Sequence, residues 1–259
     1  RVQDATTAAA FIATLATGSL PRPALRGAEV QGRLQVMAEE YGYTTDEMRT
    51  AAFVGENLDT TYAREVARGH AILLNRTAAW GREDLGLPGF LNHPYITVGP
   101  AATKTAGGTS WDNATAGEMF ADVVGLVHGI ENDSRGIYKP NVVALPGPKL
   151  RLLQTTRISE GTSTDSGTTF VMELLQKALP NVTFKECNDL EAANSLGNLD
   201  EDAMIAFNDS PEYVELVVAL WLEQHPVQMR GLEFVVPTES KIGGIKCPHP
   251  LSISRLDGI

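Results

Sequence analysis

The chain is organised around DTTYAREVARGHAILLNRTAAW, residues 59–80. Apolar and small side chains recur there at helical spacing and define one face, which comprises Ala63, Val66, Ala67, His70, Leu73, Leu74, Thr77 and Ala78. Asp59 can cap the first turn, and Gly81 stands where a helix commonly ends. At about 1.5 Å per residue such a helix spans roughly 33 Å, the width of a small domain. We therefore predict a spine helix at about 59–80, against which the rest of the chain packs.

The composition is that of a globular protein, and it excludes some functions. Of 259 residues, 43% are hydrophobic and 20% are charged, which suits one large domain or two interleaved ones. The net charge of −11, with scattered lysines and arginines, disfavours tight nucleic-acid binding. No apolar run is long enough to cross a membrane, and the start lacks the pattern of a signal peptide. Cys187 and Cys247 are expected to be reduced, buried thiols.

The other sequence patterns predict an α+β protein. Acidic residues after Thr44 indicate a helix that stops at Gly55, and an amphipathic helix is expected to begin at Asp112 or Asn113. Because helices come first and strands dominate the end, a mixed or antiparallel sheet is expected. A further helix is expected at residues 169–179, and buried strands are expected at 141–145 and 203–207. Segments 29–40 and 214–221 fit either a strand or a helix.

The best candidates for catalysis are His93 and Glu118. His93 stands in a turn between Asn92 and Pro94, where a loop could present it to a substrate. Glu118 and Asp122 are four residues apart on one helix face, and paired carboxylates can do acid–base work. The structural interpretation is favoured in both cases: His93 fills a surface turn, and the carboxylates form a solvated helix face. No catalytic residue is therefore predicted.

The remaining reactive groups favour structural roles. The chain has no dinucleotide or phosphate-loop fingerprint, no zinc-protease motif and no Cys-x-x-Cys pair. Cys247 and His249 could form a nucleophile pair, but only Lys246 is placed to activate the thiol. Acidic residues 200–202 lack the alternating ligands of a calcium loop. We predict no metal ligand and no cofactor-binding residue, and we assign structural roles to His70, His128 and His225.

Several short segments stand in a fixed order along the chain and carry a family resemblance. They are YGYTTDEM (41–48), LD (58–59), GFLNHP (89–94), Trp111, Ser134 with Gly136, Pro140, ALP (144–146), RGLEFVVP (230–237), GG (243–244), PL (250–251) and DGI (257–259). From about residue 41 onward, the chain resembles the major capsid proteins of tailed bacteriophages with the Hong Kong 97 fold. In particular, it resembles a branch of that family formerly catalogued as a domain of unknown function.

The resemblance implies a structural subunit, not an enzyme. It implies a long spine helix, a peripheral domain with long β-strands at residues 41–136 and 225–259, and an inserted axial α/β domain at 137–224. Residues 1–40 would then form an N-terminal arm or extended segment. Such a subunit self-assembles through pentamers and hexamers into the icosahedral shell of a tailed phage. The shell encloses double-stranded DNA without sequence-specific binding and without a membrane.

The resemblance also implies partners and a location, and it leaves two alternatives open. The candidate partners are scaffold, portal, protease and decoration proteins. The location is the capsid of the virion, after assembly in the host cytoplasm. One alternative is the shell of a cellular encapsulin-like nanocompartment. The more remote one is an α/β enzyme that uses His93 or Glu118, which would have a discrete apolar pocket at one of those residues.

Overall fold

The computed structural model describes residues 2–6, 24–28, 32–55, 57–158, 169–195 and 198–259. By their contacts, the residues fall into two compact units, Arg1–Arg33 and Leu34–Ile259. The first unit contains an antiparallel pair of strands, β1 (Val2–Thr6) and β2 (Ala24–Ala28), with Val2 opposite Ala28. The second unit contains every α-helix in the described ranges, both of the larger sheets, and a short antiparallel pair, β4 (Gly81–Arg82) and β5 (Leu87–Pro88).

The predicted spine helix is present and is the longest helix of the described chain. Asn57 caps the N-terminus of this helix, because its side chain Oδ1 accepts a hydrogen bond from the Thr60 amide at 3.4 Å. The expectation that Asp59 caps the helix was wrong, because Asp59 lies in the first turn and accepts a hydrogen bond from the Tyr41 hydroxyl at 2.9 Å. The described helices are α1 (Thr45–Val54), α2 (Leu58–Trp80, the spine helix), α3 (Ala116–Asp133), α4 (Gly147–Thr155) and α5 (Val171–Ala178).

The spine helix packs on an elongated antiparallel sheet. Its members are β3 (Gln35–Thr44), β10 (Glu215–Gln224), β11 (Gln228–Arg230) and β12 (Glu233–Lys246). The long strand β12 pairs with β3 on one side and with β10 and β11 on the other, so β3 forms one edge of the sheet and β10 and β11 form the other. Tyr41, Val66 and Val236 form a small core between helix and sheet. Both segments that the sequence left open, 29–40 and 214–221, therefore contribute strands where they are described.

A second sheet forms the centre of a compact α/β region. Its strand order is β6 (Thr97–Pro100), β13 (Ser254–Asp257), β9 (Ala203–Phe207), β7 (Val142–Leu145) and β8 (Thr183–Glu186). The outer pairs β6–β13 and β7–β8 are parallel and the inner pairs are antiparallel, which makes the sheet mixed. Strand β7 is buried along its whole length, as expected for a run of four apolar residues. Helices α3 and α5 pack against this sheet through Val123, Val127 and Leu175.

Helix α3 begins later than its sequence suggests. Trp111–Asn113 form one turn of 3-10 helix, and α3 then starts at Ala116. The cap is Thr115, not Asp112 or Asn113, because Thr115 and Glu118 exchange side chain and backbone hydrogen bonds in a capping box. The same arrangement of Thr44 and Glu47 opens α1, which ends at Gly55 as predicted.

Both larger sheets contain strands from segments that the sequence assigns to different domains. Strand β10 lies in the elongated sheet, although residues 215–224 stand in the segment assigned to the axial domain. Strands β6 and β13 join the compact sheet, although both stand in the peripheral segments. Strand β3 begins within the predicted arm of residues 1–40, part of which lies outside the described residues. The domain limits remain a prediction.

Candidate functional site

His93 lies in a tight turn after the spine helix. The ring is buried, with 8% of the residue exposed, and its Nδ1 accepts a long hydrogen bond from the Tyr95 amide at 3.4 Å. Burial lowers the pKa of His93, which favours the neutral ring at pH 7. Its ring also packs on Tyr95, with the two centroids 5.7 Å apart. These contacts are those of a packed turn, although the turn is more buried than the surface position expected.

Glu118 is fully engaged in hydrogen bonds. Its Oε2 accepts from the amide of Thr115 at 2.8 Å and from the Thr115 hydroxyl at 2.9 Å. Its Oε1 accepts from the amide and the hydroxyl of Thr105, both at 2.7 Å. These bonds, led by that from the Thr115 amide, lower the pKa of Glu118 to about 2. A carboxylate with so low a pKa is a poor general base at pH 7, and here it joins the start of α3 to the preceding loop.

The hydrogen bonds of Glu118 have a measurable pH dependence. Because its pKa falls from 4.5 to about 2 on folding, its contribution is complete above about pH 4.5 and is lost as the pH falls toward 2. We expect NMR titration of the Glu118 carboxyl carbon to give a midpoint below pH 3. In the variant Thr105→Val, which keeps the Thr105 amide, the midpoint should rise toward 4.5. A midpoint near 4.5 in the unaltered chain would contradict this account.

Asp122 does not form the solvated carboxylate pair that its spacing from Glu118 suggested. Asp122 is buried at 8% exposure and forms an ion pair with Lys104, whose side chain is 1% exposed. The indole Nε1 of Trp111 donates a hydrogen bond to the same carboxylate at 2.7 Å. The solvated-face expectation was therefore wrong for Asp122, since the loop before α3 folds over that side of the helix. This buried cluster was missed because nothing near Lys104 in sequence marks it as buried.

A second buried lysine connects loops that are distant in sequence. The Lys149 ammonium lies 2.9 Å from Asp112 and 3.5 Å from Asp202. Asp202 also accepts a hydrogen bond from the Ala192 amide at 3.0 Å. The acidic segment 200–202 is thus partly structural, because its Asp202 helps to neutralise a buried cation. Across the described residues, no three histidine, cysteine, aspartate or glutamate side chains converge as a metal site.

The other histidines have ordinary partners. His70 is buried on the spine helix, with Nδ1 3.1 Å from the Ser240 hydroxyl, as expected of a core histidine. His249 lies 3.1 Å from the hydroxyl of Tyr138 rather than bonding to Cys247. His128 lies 3.2 Å from the carboxylate of Glu131, and His225 lies 3.6 Å from that of Glu239.

Both cysteines are free thiols packed against one apolar cluster, but they are half-buried and not fully buried as expected. Burial raises the pKa of Cys187 and raises that of Cys247 to about 11. A thiol with so high a pKa is almost entirely protonated at pH 7, so it is a weak nucleophile. The described helices include none long and apolar enough to span a bilayer.

Two shallow cavities lie beside the spine helix. A cleft of about 380 Å³ opens between α1 and the start of α2. A groove of about 250 Å³ runs between α2 and strands β10 and β12, with Leu74 and Trp221 among its lining residues. Neither cavity is lined by His93 or Glu118. No hydrogen bond joins His93 to Glu118, and neither residue lies in these two cavities.

Large apolar side chains stand exposed at several separate places on the described surface. The most exposed are Phe53 (93%), Tyr95 (75%), Leu232 (74%), Ile137 (72%) and Trp221 (70%). They belong to helix α1, to three connecting segments and to the outer strand β10. Single exposed side chains are normal on a protein surface, and aromatic ones such as Phe53, Tyr95 and Trp221 are enriched where protein chains contact each other.

The fold matches subunits of known capsids. The capsid of Myoviridae Phage XM1 gives a TM-score of 0.75 at 15% identity, covering 99% of this chain and 83% of that chain. The capsid of a native GTA particle gives 0.63 at 14% identity, covering 99% and 84%. A virus-like particle from Pyrococcus furiosus gives 0.52 at 15% identity, covering 92% and 80%. At these identities the likeness establishes the fold alone, which is the α+β Hong Kong 97 fold.

A family model identifies the chain as a shell-forming structural subunit. The chain belongs to the major capsid protein family, whose model matches residues 8–259. It is therefore a self-assembling component of the virion capsid and not an enzyme, and the nanocompartment alternative is not favoured. A search of curated proteins finds no significant match.

Proposed function

We propose that the chain builds the pentamers and hexamers of an icosahedral tailed-phage shell that encloses double-stranded DNA. The observation that carries this proposal is the family match across residues 8–259. The likeness to the capsid of Myoviridae Phage XM1 over 99% of the chain supports it. A net charge of −11 suits a shell that does not bind its enclosed DNA tightly, because like charges repel.

We also propose that the two domains follow the two larger sheets. The peripheral domain would comprise α1, α2 and the elongated sheet, including β10. The axial domain would comprise the five-stranded sheet with α3, α4 and α5, including β6 and β13. The strand pair β1–β2 would belong to the N-terminal extended segment that reaches neighbouring subunits. This division keeps hydrogen-bonded strands together, which the limits at residues 137 and 224 do not.

Further partners follow from the proposed role. Scaffold, portal, protease and decoration proteins are the proposed partners, and assembly takes place in the host cytoplasm. Exposed anchors at separate sites, such as Phe53 and Trp221, provide distinct surfaces for subunit and accessory contacts.

Nuclease protection tests the DNA-filled shell. Native particles would be purified by sedimentation, treated with DNase, and examined for DNA by ultraviolet absorbance and gel electrophoresis. We expect genome-length DNA that survives in intact particles and is digested after they are opened by denaturant. Particles that hold folded cargo protein and no protected DNA would instead favour the nanocompartment, and would overturn the proposal.

A further inference from the structure

Three arginines on the outward face of the spine helix lack partners. Arg64, Arg68 and Arg76 are exposed, and none makes an ion pair or hydrogen bond with any other residue that the structure describes. Seven other cations in the described ranges form ion pairs with carboxylates. They are Arg82, Lys104, Lys149, Lys185, Arg230, Lys246 and Arg255.

The three arginines form a stripe that winds about a third of the way around the helix. Arg68 is one turn beyond Arg64, and Arg76 is two turns beyond Arg68, so the stripe is about 18 Å long at about 1.5 Å per residue. Glu65 is the only acidic residue between positions 64 and 80, so this segment carries a net charge of about +2 by the usual assignment of charges at pH 7. The whole chain carries −11. The arginine stripe is thus a cationic segment of an acidic protein, and a carboxylate from the sheet, that of Glu39, lies beside Gly69 of the helix.

We propose that the arginine stripe faces the enclosed DNA and lies against its phosphate backbone. This inference rests on the proposed function, because it requires a nucleic acid inside the shell. Guanidinium groups bind phosphate oxygens well, and an exposed arginine that has no carboxylate partner is available for such a contact. Three phosphate contacts give weak, salt-sensitive and sequence-independent binding, which keeps DNA close to the inner surface of the shell without binding it tightly.

Exposed Ile72 offers a second type of contact within the same stripe. It is 51% exposed and lies one turn from both Arg68 and Arg76. An acidic protein segment with apolar side chains could use it, whereas a DNA backbone could not. We favour DNA because the three unpaired guanidinium groups match a row of phosphates, and the exposed Thr61 and Asn75 side chains can also donate hydrogen bonds to phosphate oxygens. The protein partner becomes an outcome of the test.

The test measures DNA binding by the full chain before shells form. A fluorescent 30-base-pair duplex of random sequence would be titrated with the unaltered chain at several salt concentrations. The test variant is Arg64→Gln with Arg68→Gln and Arg76→Gln. The control variant is Arg135→Gln with Lys139→Gln and Lys177→Gln, which removes three other exposed cations and changes the net charge equally. A poly-glutamate peptide serves as the second probe.

We expect the test variant to bind DNA at least about tenfold more weakly at low salt, and its log–log salt slope to be shallower by about 2 to 3. The control variant should keep the unaltered slope. Equal slopes for the two variants, or no DNA binding by the unaltered chain, would overturn the inference. It would also be overturned if the stripe were required for poly-glutamate binding but not for DNA. Electron microscopy of the same variants scores shell formation separately, so that failure of the proposed function is distinguishable.

Discussion

Replacing Asp122 by leucine is expected to lower the free energy of unfolding by about 3–5 kcal/mol. The substitution leaves the Lys104 ammonium, whose side chain is 1% exposed, as a buried charge without its carboxylate. It also leaves the Trp111 indole N–H without its acceptor, and Trp111 is fully buried. Both losses fall on the loop that covers α3, so the compact sheet region should unfold more readily.

Urea unfolding of the unassembled chain measures this loss, and two comparisons identify its cause. The double variant Lys104→Met with Asp122→Leu should recover most of the loss, because it removes both charges. Glu215→Leu breaks the exposed pair with Lys246, whose side chains are 50% and 44% exposed, and should cost less than about 1 kcal/mol. If Asp122→Leu costs no more than Glu215→Leu, the buried ion pair does not stabilise the fold as described.

Replacing Gly81 by alanine is expected to destabilise the chain by about 4 kcal/mol or more. Gly81 ends the spine helix with φ 67° and ψ −165°, a backbone conformation that is essentially restricted to glycine. An added Cβ would also overlap the Leu87 carbonyl oxygen and the Gly89 amide nitrogen. Because both neighbours are backbone atoms, no side chain rotation can relieve the clash.

The expected result for Gly81→Ala is a large loss of soluble, folded chain, measured by circular dichroism and by yield of the soluble fraction. Gly125→Ala is the matched control. Gly125 is exposed within α3, and a Cβ there would meet nothing within 4 Å, so this substitution should stabilise the helix by up to about 1 kcal/mol. Similar melting temperatures for the two variants would contradict the account of the turn after the spine helix.

Local patterns carried most of what the sequence predicted correctly. The spine helix was expected at 59–80 and spans Leu58–Trp80, because a long periodic face leaves little ambiguity. The ends of α1 followed from Thr44 and Gly55, which are strong local signals. The all-apolar strands β7 and β9 were also clear, since such short runs suit a buried sheet.

The features that the sequence did not predict depend on contacts distant along the chain. Strand β10 could have been a helix, and only its pairing with β12 makes it a strand. Lys104 and Asp122 are 18 positions apart, and burial of the pair depends on how the loop folds over α3. Residue type alone made His93 and Glu118 weak candidates for catalysis. In the structure, His93 packs in a turn and Glu118 belongs to the capping box of α3.

Self-assembly is the central claim, and negative-stain electron microscopy of the purified chain tests it most directly. We predict closed, uniform shells built from many copies, which form because the exposed apolar side chains are covered by neighbouring subunits. Particles that remain monomers or small oligomers at every concentration and salt condition would contradict the assignment of the chain as a shell-forming subunit.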